Sequence, residues 1–250
     1  MLVHALITEA TQRGASLVEI RSTVALPLPV PSMHEKVNMV LSLPDQVDCL
    51  WRQLSAKVRN QIRKAERSGL SVEFGGLEHL DDFYSVFAAH MRQLGSPVHA
   101  RAFFSSLLEI FAESARVVLV RQGVMPIGGL IALAFKDTLV VPWAASLRQY
   151  FPLCPNMLLY WHTLRVACQE GFRRFEFGRS SRGSNTYRFK RQWGAVEVPL
   201  FWYTIPLDQS LPGGNRQHAP LKALFSRLWC RLPLGVTRCL GPSLRKYITL

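Results

Sequence analysis

Residues 116–146 read RVVLVRQGVMPIGGLIALAFKDTLVVPWAAS. Three apolar runs stand out: RVVLVR (116–121), PIGGLIALAF (126–135) and TLVVPWAAS (138–146). Gln122-Gly123 and Lys136-Asp137 separate them, and loops this short join strands only as antiparallel neighbours, so the stretch predicts a three-stranded meander. Upstream, Leu54, Val58, Ile62 and Ala65 recur at helical spacing, which gathers Arg59, Arg63 and Arg67 on another face; Gly69 closes that helix. LSVEF (70–74) reads as a strand. A helix over 77–94 carries Leu80, Phe83, Tyr84, Phe87 and Met91 on one face and ends at Gly95 and Pro97. A further helix presents Phe103, Phe104, Leu107, Leu108 and Phe111. Downstream, a nearly all-apolar helix over 156–170 reads as buried. It leads through Gly171 to the strand RRFEF (173–177), a short helix near 184–193 and a last strand, VEVPLFWYTI (196–205).

Of the 250 residues, 48% are hydrophobic and 19% charged, which excludes a disordered chain. No apolar run is long enough to cross a bilayer, and MLVHALITEATQRG lacks the basic start and apolar core of a signal peptide. Five scattered cysteines, none in a CxxC pair, read as reduced thiols in a cytoplasmic protein, with no metal expected. A net charge of +13 favours an anionic partner: a nucleic acid, a phosphorylated cofactor or a membrane surface. Basic residues crowd 52–67 and 173–191.

Residues 1–45 read as a partial second copy. GASLVEIRS (14–22) can be laid beside GFRRFEFGR (171–179), matching Glu19 to Glu176, and VNMVLSLP (37–44) echoes VEVPLFWYTIP (196–206). Three segments follow: 1–45 as the C-terminal half of a truncated first unit, 50–205 as a complete unit, and 206–250 as a basic amphipathic tail. In the tail, Leu221, Leu224, Phe225, Leu228, Trp229 and Leu232 form a stripe with Lys222, Arg227 and Arg231 elsewhere on the wheel. It suits either an anionic membrane or the protein's own body.

The element order resembles that of GNAT acyltransferases, an α/β (α+β) fold whose mixed, mostly antiparallel sheet is flanked by helices. CPNMLLYWHTLRVACQEGFRRFEFGRSSRGSNTYRFKRQWG (154–193), RNQIRKAERSGLSVEFGG (59–76) and DTLVVPWAASLRQY (137–150) are more specific. Together they resemble the FemAB-related proteins of exosortase (PEP-CTERM) systems, with a BioF2-like acetyltransferase domain. The resemblance implies transfer of an acyl or aminoacyl group to an amine, from acyl-CoA or aminoacyl-tRNA, in envelope or exopolysaccharide assembly. The acceptor implied is envelope material, with lipid-linked precursors among the candidates, met at the inner face of the membrane. Because a family member ordinarily carries a full first unit, a catalytically inactive binding module is the alternative. Acetyl-CoA-dependent relatives carry a glycine-rich turn before the buried helix. Here SLRQYFPLCPN (146–156) offers Arg148, Gln149 and Asn156 but no glycine, and Pro152 and Pro155 lack N–H groups.

By the same resemblance Tyr187 is the candidate acid for the leaving group; the alternative is packing of the short helix. Glu176 reads as a base lining the cleft or as an ion-pair partner. Arg179, Ser180 and Ser181 follow a strand end, where α/β folds place ligands. Lys190 and Arg191 suit phosphates, while Trp193 suits base stacking or the core. Trp143, Arg59 and Arg63 complete the expected substrate-binding set. His99 and His162 have no evident partners in the sequence.

Overall fold

The computed structural model describes residues 2–33, 36–207 and 219–246. The chain opens with α1 (Leu2–Gln12), β1 (Leu17–Ser22), β2 (Ser32–Met33), β3 (Lys36–Ser42), α2 (Val47–Gln53) and α3 (Ala56–Arg67). Next come β4 (Leu70–Gly75), α4 (Leu80–Gln93), α5 (Arg101–Ile110), β5 (Ala115–Gln122), β6 (Met125–Phe135) and β7 (Thr138–Ser146). The remainder comprises α6 (Pro155–Gln169), β8 (Arg174–Ser181), α7 (Asn185–Arg191), β9 (Val196–Pro199), β10 (Phe201–Pro206), α8 (Ala219–Trp229) and α9 (Leu234–Arg245).

The expected meander forms: β5, β6 and β7 pair antiparallel in succession, with Lys136 in the left-handed conformation at the second turn. They sit within a seven-stranded sheet of order β4-β5-β6-β7-β8-β3-β9. Each strand of the meander is apolar on both sides because both faces are covered. Val117 and Leu119 meet Leu80, Phe83 and Phe104 from α4 and α5. Val118 and Val120 meet Ile62 and Leu159 from α3 and α6. The α6 helix is buried nearly all round, as its sequence predicts.

Two features were not anticipated. The last strand is not continuous: it breaks at buried Leu200, directly after Pro199, which has no N–H to give a ladder. β9 stays in the large sheet beside β3, while β10 enters a second sheet of order β1-β10-β2. The N-terminal segment is also divided, for β3 inserts between β8 and β9. Thus β1 pairs with β10, and β8 pairs with β3, so the two stretches read as copies exchange strands. Segment 1–45 therefore shares both sheets with the unit that follows it.

The tail folds back. Trp229, Thr237, Gly241 and Arg245 are buried, Gly95 lies against Ser226, and Gly241 lies against Val98. Arg92 Nε donates to Leu232 O (2.5 Å) and Cys230 Sγ to Gln93 O (3.6 Å). Of the amphipathic stripe, Leu224, Phe225 and Leu228 are exposed. The side chains of Leu221 and Lys222 lie outside the described residues.

Candidate functional site

The one parallel pair in the large sheet is β7–β8, and it is short: Thr138, Leu139 and Val140 face Arg174, Phe175 and Glu176. Beyond Val140 and Glu176 no pairing continues, so the two strands part toward their C-terminal ends, the position where α/β sheets hold ligands. A register shift in the β6–β7 ladder lies alongside, between Ile131 and Leu133. Gly178 lies just past the last paired residue with φ +75°, and a Cβ there would come within 3.3 Å of Val141 O. Only glycine takes that conformation without strain.

Lys190 reaches this point from α7, whose first turn is capped by Ser184 Oγ accepting from Tyr187 N (3.2 Å). Its Nζ donates to Gly178 O (3.0 Å) and Arg179 O (2.8 Å). The side chain is buried, and among the described residues no carboxylate pairs with it. Burial, then the nearby charge of Arg179, pushes its pKa down to about 8. An ammonium has three donors, and these bonds engage two of them.

Glu176 and Tyr187 are not brought together. Tyr187 shares the core beneath α6 with Phe175 and Phe177, so Glu176, between those two phenylalanines, points to the other face. There Asn38 Nδ2 donates to Glu176 Oε2 (2.8 Å). The Tyr187 hydroxyl instead donates to Glu197, which also accepts from Arg182 Nε (2.8 Å); these two bonds, in that order, hold the Glu197 carboxyl below its usual range. The sequence assigns Glu197 no role, because its partner lies ten residues away on the preceding helix, α7.

On the face of Glu176 the register also places Arg179 and Ser181. Lys36 Nζ donates to Ser181 Oγ (2.5 Å), and Arg179 lies 5.4 Å from the Trp202 ring centroid. Arg21, paired with Glu19, lies over the same ring at 4.3 Å. Burial and the charge of Arg21 both lower the Arg179 pKa. Ser180 is buried with its hydroxyl unpartnered.

Other expected residues fall elsewhere. Trp193 is buried against Tyr160 and Phe189, and Trp143 packs with His99, Phe103 and Phe104 on the α5 side. Arg59 Nη1 donates to Leu54 O (2.9 Å), tying α3 to the end of α2, while exposed Arg63 lies 5.4 Å from the Trp51 ring. Both histidines have partners. Arg245 Nε donates to His99 Nε2 (3.3 Å), and Arg165 lies 3.4 Å from His162 Nδ1. Burial, then the charge of Arg165, lowers the His162 pKa to about 4. Much of the 173–191 charge is paired over distance, Arg173 with Asp45 and Arg174 with Asp137.

The loop before α6 is a 3-10 turn, Arg148–Leu153, that closes on itself. Tyr150 N donates to Leu147 O, Cys154 N to Phe151 O, and Met157 N to Cys154 O. Pro152 and Pro155 have no N–H, so Asn156 alone is left to offer an amide at the helix entrance. Exposed Arg148 and Gln149 flank a turn with no cradle of amides for a pyrophosphate. Beside it, the buried His90 Nδ1 and Ser146 Oγ have no hydrogen-bond partner among the described residues, a juxtaposition the sequence could not reveal.

Residues 52–191 match the family described as acetyltransferase (GNAT) domain. No curated protein sequence matches the chain. Among solved structures, FemX aligns with a TM-score of 0.61 at 14% identity, over 90% of this chain and 79% of that one. The C-terminal domain of a protein assigned as a lysylphosphatidylglycerol synthetase from Agrobacterium fabrum aligns at 0.61 and 11%, over 82% and 72%. L-PGS from Bacillus licheniformis aligns at 0.58 and 11%, over 92% and 78%. These likenesses are of fold.

Proposed function

We propose that this chain, which belongs to the GNAT acetyltransferase family, transfers an aminoacyl group from its ester on tRNA to an amine. The observation that carries this reading is Lys190: a buried ammonium, bonded among the described residues to two main-chain carbonyls and to no carboxylate, where β7 and β8 part. In the proposed step the amine nitrogen attacks the ester carbonyl carbon and forms the C–N bond. The carbonyl electrons move to oxygen, and the third N–H of Lys190 meets that oxyanion in a site of low dielectric. Collapse breaks the ester C–O bond, and the departing ribose oxygen takes the proton released by the amine. No covalent intermediate on the protein is needed.

The loop before α6 supports an ester donor over a thioester of CoA, since two prolines and the bonds within the loop leave Asn156 at the helix entrance and no cradle of amides for a pyrophosphate. Arg179, Ser181 and Lys36 then suit phosphates of donor or acceptor on the open face, with Arg59 and Arg63 as a more distant basic surface. Tyr187 is better suited to holding α7, and with it Lys190, than to proton transfer. The resemblance of FEFGRSS…YRFKRQWG (175–193) to FemAB-related, exosortase-associated proteins supports an acceptor in envelope or exopolysaccharide assembly. A lipid-linked amine at the cytoplasmic face of the membrane fits that setting.

The acyl-CoA donor is the second reading, favoured by the description of the family itself. The test supplies aminoacyl-tRNA and acetyl-CoA separately and follows release of deacylated tRNA or free CoA with amine-bearing envelope precursors. The expected outcome is tRNA turnover that is lost in Lys190→Met, with no heat on titrating millimolar CoA. Binding of CoA with an inert tRNA would move the assignment to the second reading. Inertness toward both, with tRNA still bound, would favour a binding module.

A further inference from the structure

The segment 209–250 contains seven Lys or Arg residues and no Asp or Glu. Its two helices each touch the body along a narrow row. In α8 that row is Ser226, Trp229 and Cys230; in α9 it is Thr237, Gly241 and Arg245. By helical geometry Leu224 and Leu228 lie on the side of α8 turned away from the body, with Arg227 and Arg231 beside them. Leu224 and Leu228 are each 55% exposed. In α9 the row Val236, Leu240 and Leu244 is exposed alongside the docked row. A shallow groove between α9 and the start of α5, lined by Tyr84, Arg101, Arg238 and Pro242, lies at the inner margin.

We infer that the α8–α9 helices are a docking surface for an anionic lipid bilayer. Outward leucines gain by entering the acyl boundary, while the arginines beside them meet lipid phosphates. A second copy of this chain is a poor occupant, because apposing two such faces would bring like charges together. Nucleic acid would answer the charge and leave the leucine rows unexplained. The transfer chemistry does not depend on this surface, and the surface does not depend on the donor, so either can fail alone.

The test is co-sedimentation of the full chain with phosphatidylcholine vesicles, with and without phosphatidylglycerol. Binding is expected only to the anionic vesicles and to weaken in high salt. Leu224→Asp with Leu228→Asp should lower partitioning at least ~10-fold, and Arg227→Glu with Arg231→Glu by a comparable factor. Both pairs are on the surface, so melting temperature and transfer to a soluble amine should be unchanged; this control separates lost docking from lost fold. Failure of the parent chain to bind anionic vesicles overturns the inference. So does binding that survives the leucine pair and is fully competed by RNA, which would make the face a polyanion site.

Discussion

Taking an ammonium out of water without a carboxylate beside it costs free energy, and the fold must retain Lys190 for something that its two carbonyl bonds alone do not explain. The titration of this group separates function from stability by sign. Its folded pKa of about 8 lies below the unfolded lysine value, so between those two values the unfolded chain binds more protons than the folded one. Stability from this group therefore rises as pH climbs from about 8 toward the ordinary lysine range, up to ~3 kcal/mol if the shift is fully expressed. Activity that needs the ammonium falls over the same interval. Urea midpoints and single-turnover rates measured side by side should move in opposite directions; a rate that holds flat through pH 9 would remove Lys190 from the chemistry. For Tyr187→Phe the expectation is the reverse of that for an acid: turnover within about twofold of the parent, with ~1–2 kcal/mol lost because Glu197 keeps Arg182 but loses the Tyr187 hydroxyl. At this scale the sequence marks Lys190 as a cation but hides its burial, which depends on β8 turning at Gly178 to meet α7. Alternation alone turns Glu176 away from Phe175 and Phe177, but the sequence cannot show that Tyr187 joins those two phenylalanines, since that depends on where α7 packs.

Elements were more legible than residues, because periodicity is local and contact is not. The meander, the amphipathic α4 and the buried α6 all follow from spacing of apolar side chains and from the glycines that end them. Of the break at Leu200 the sequence shows only Pro199: VEVPLFWYTI alternates well enough for one strand, and the pairing of its two halves with β3 and β1 completes the split. The parting of β7 and β8 is likewise an element-scale property, and Gly178 is its hinge of geometry. Gly178→Ala should cost ~1–2 kcal/mol through the left-handed backbone, with a further contribution from the approach to Val141 O. Since the carbonyl of Gly178 itself accepts from Lys190, the loss in kcat should exceed what the fraction unfolded accounts for. Thermal melts with transfer rates measured well below the transition would check this; a rate reduced only in proportion to unfolding would make the glycine merely structural.

For the molecule as a whole, the exchange of strands decides how it comes apart. Segment 1–45 gives β3 to the large sheet, between β8 and the edge strand β9, and β1 to the small one, while 196–206 gives β9 and β10 to the same two sheets. Neither sheet is complete without both ends of the unit, so they should unfold together even though their cores are distinct. Met39 is the place to test this, being fully buried on β3 at the centre of that exchange. Met39→Ala leaves a cavity in the core on the side of β3 that α7 covers and should cost ~2–4 kcal/mol. Trp202 and Tyr203 on β10 report on the small sheet, and far-ultraviolet circular dichroism on the whole. In the parent and in Met39→Ala the two signals should share one denaturant midpoint, shifted by the same amount in the variant. Separate midpoints, with the Trp202 environment unmoved by Met39→Ala, would mean that the N-terminal segment is an appendage and that the large sheet closes without it. A shared shift would place β3 among the elements on which the β7–β8 gap depends, because β3 is the strand that holds β8 from its other side.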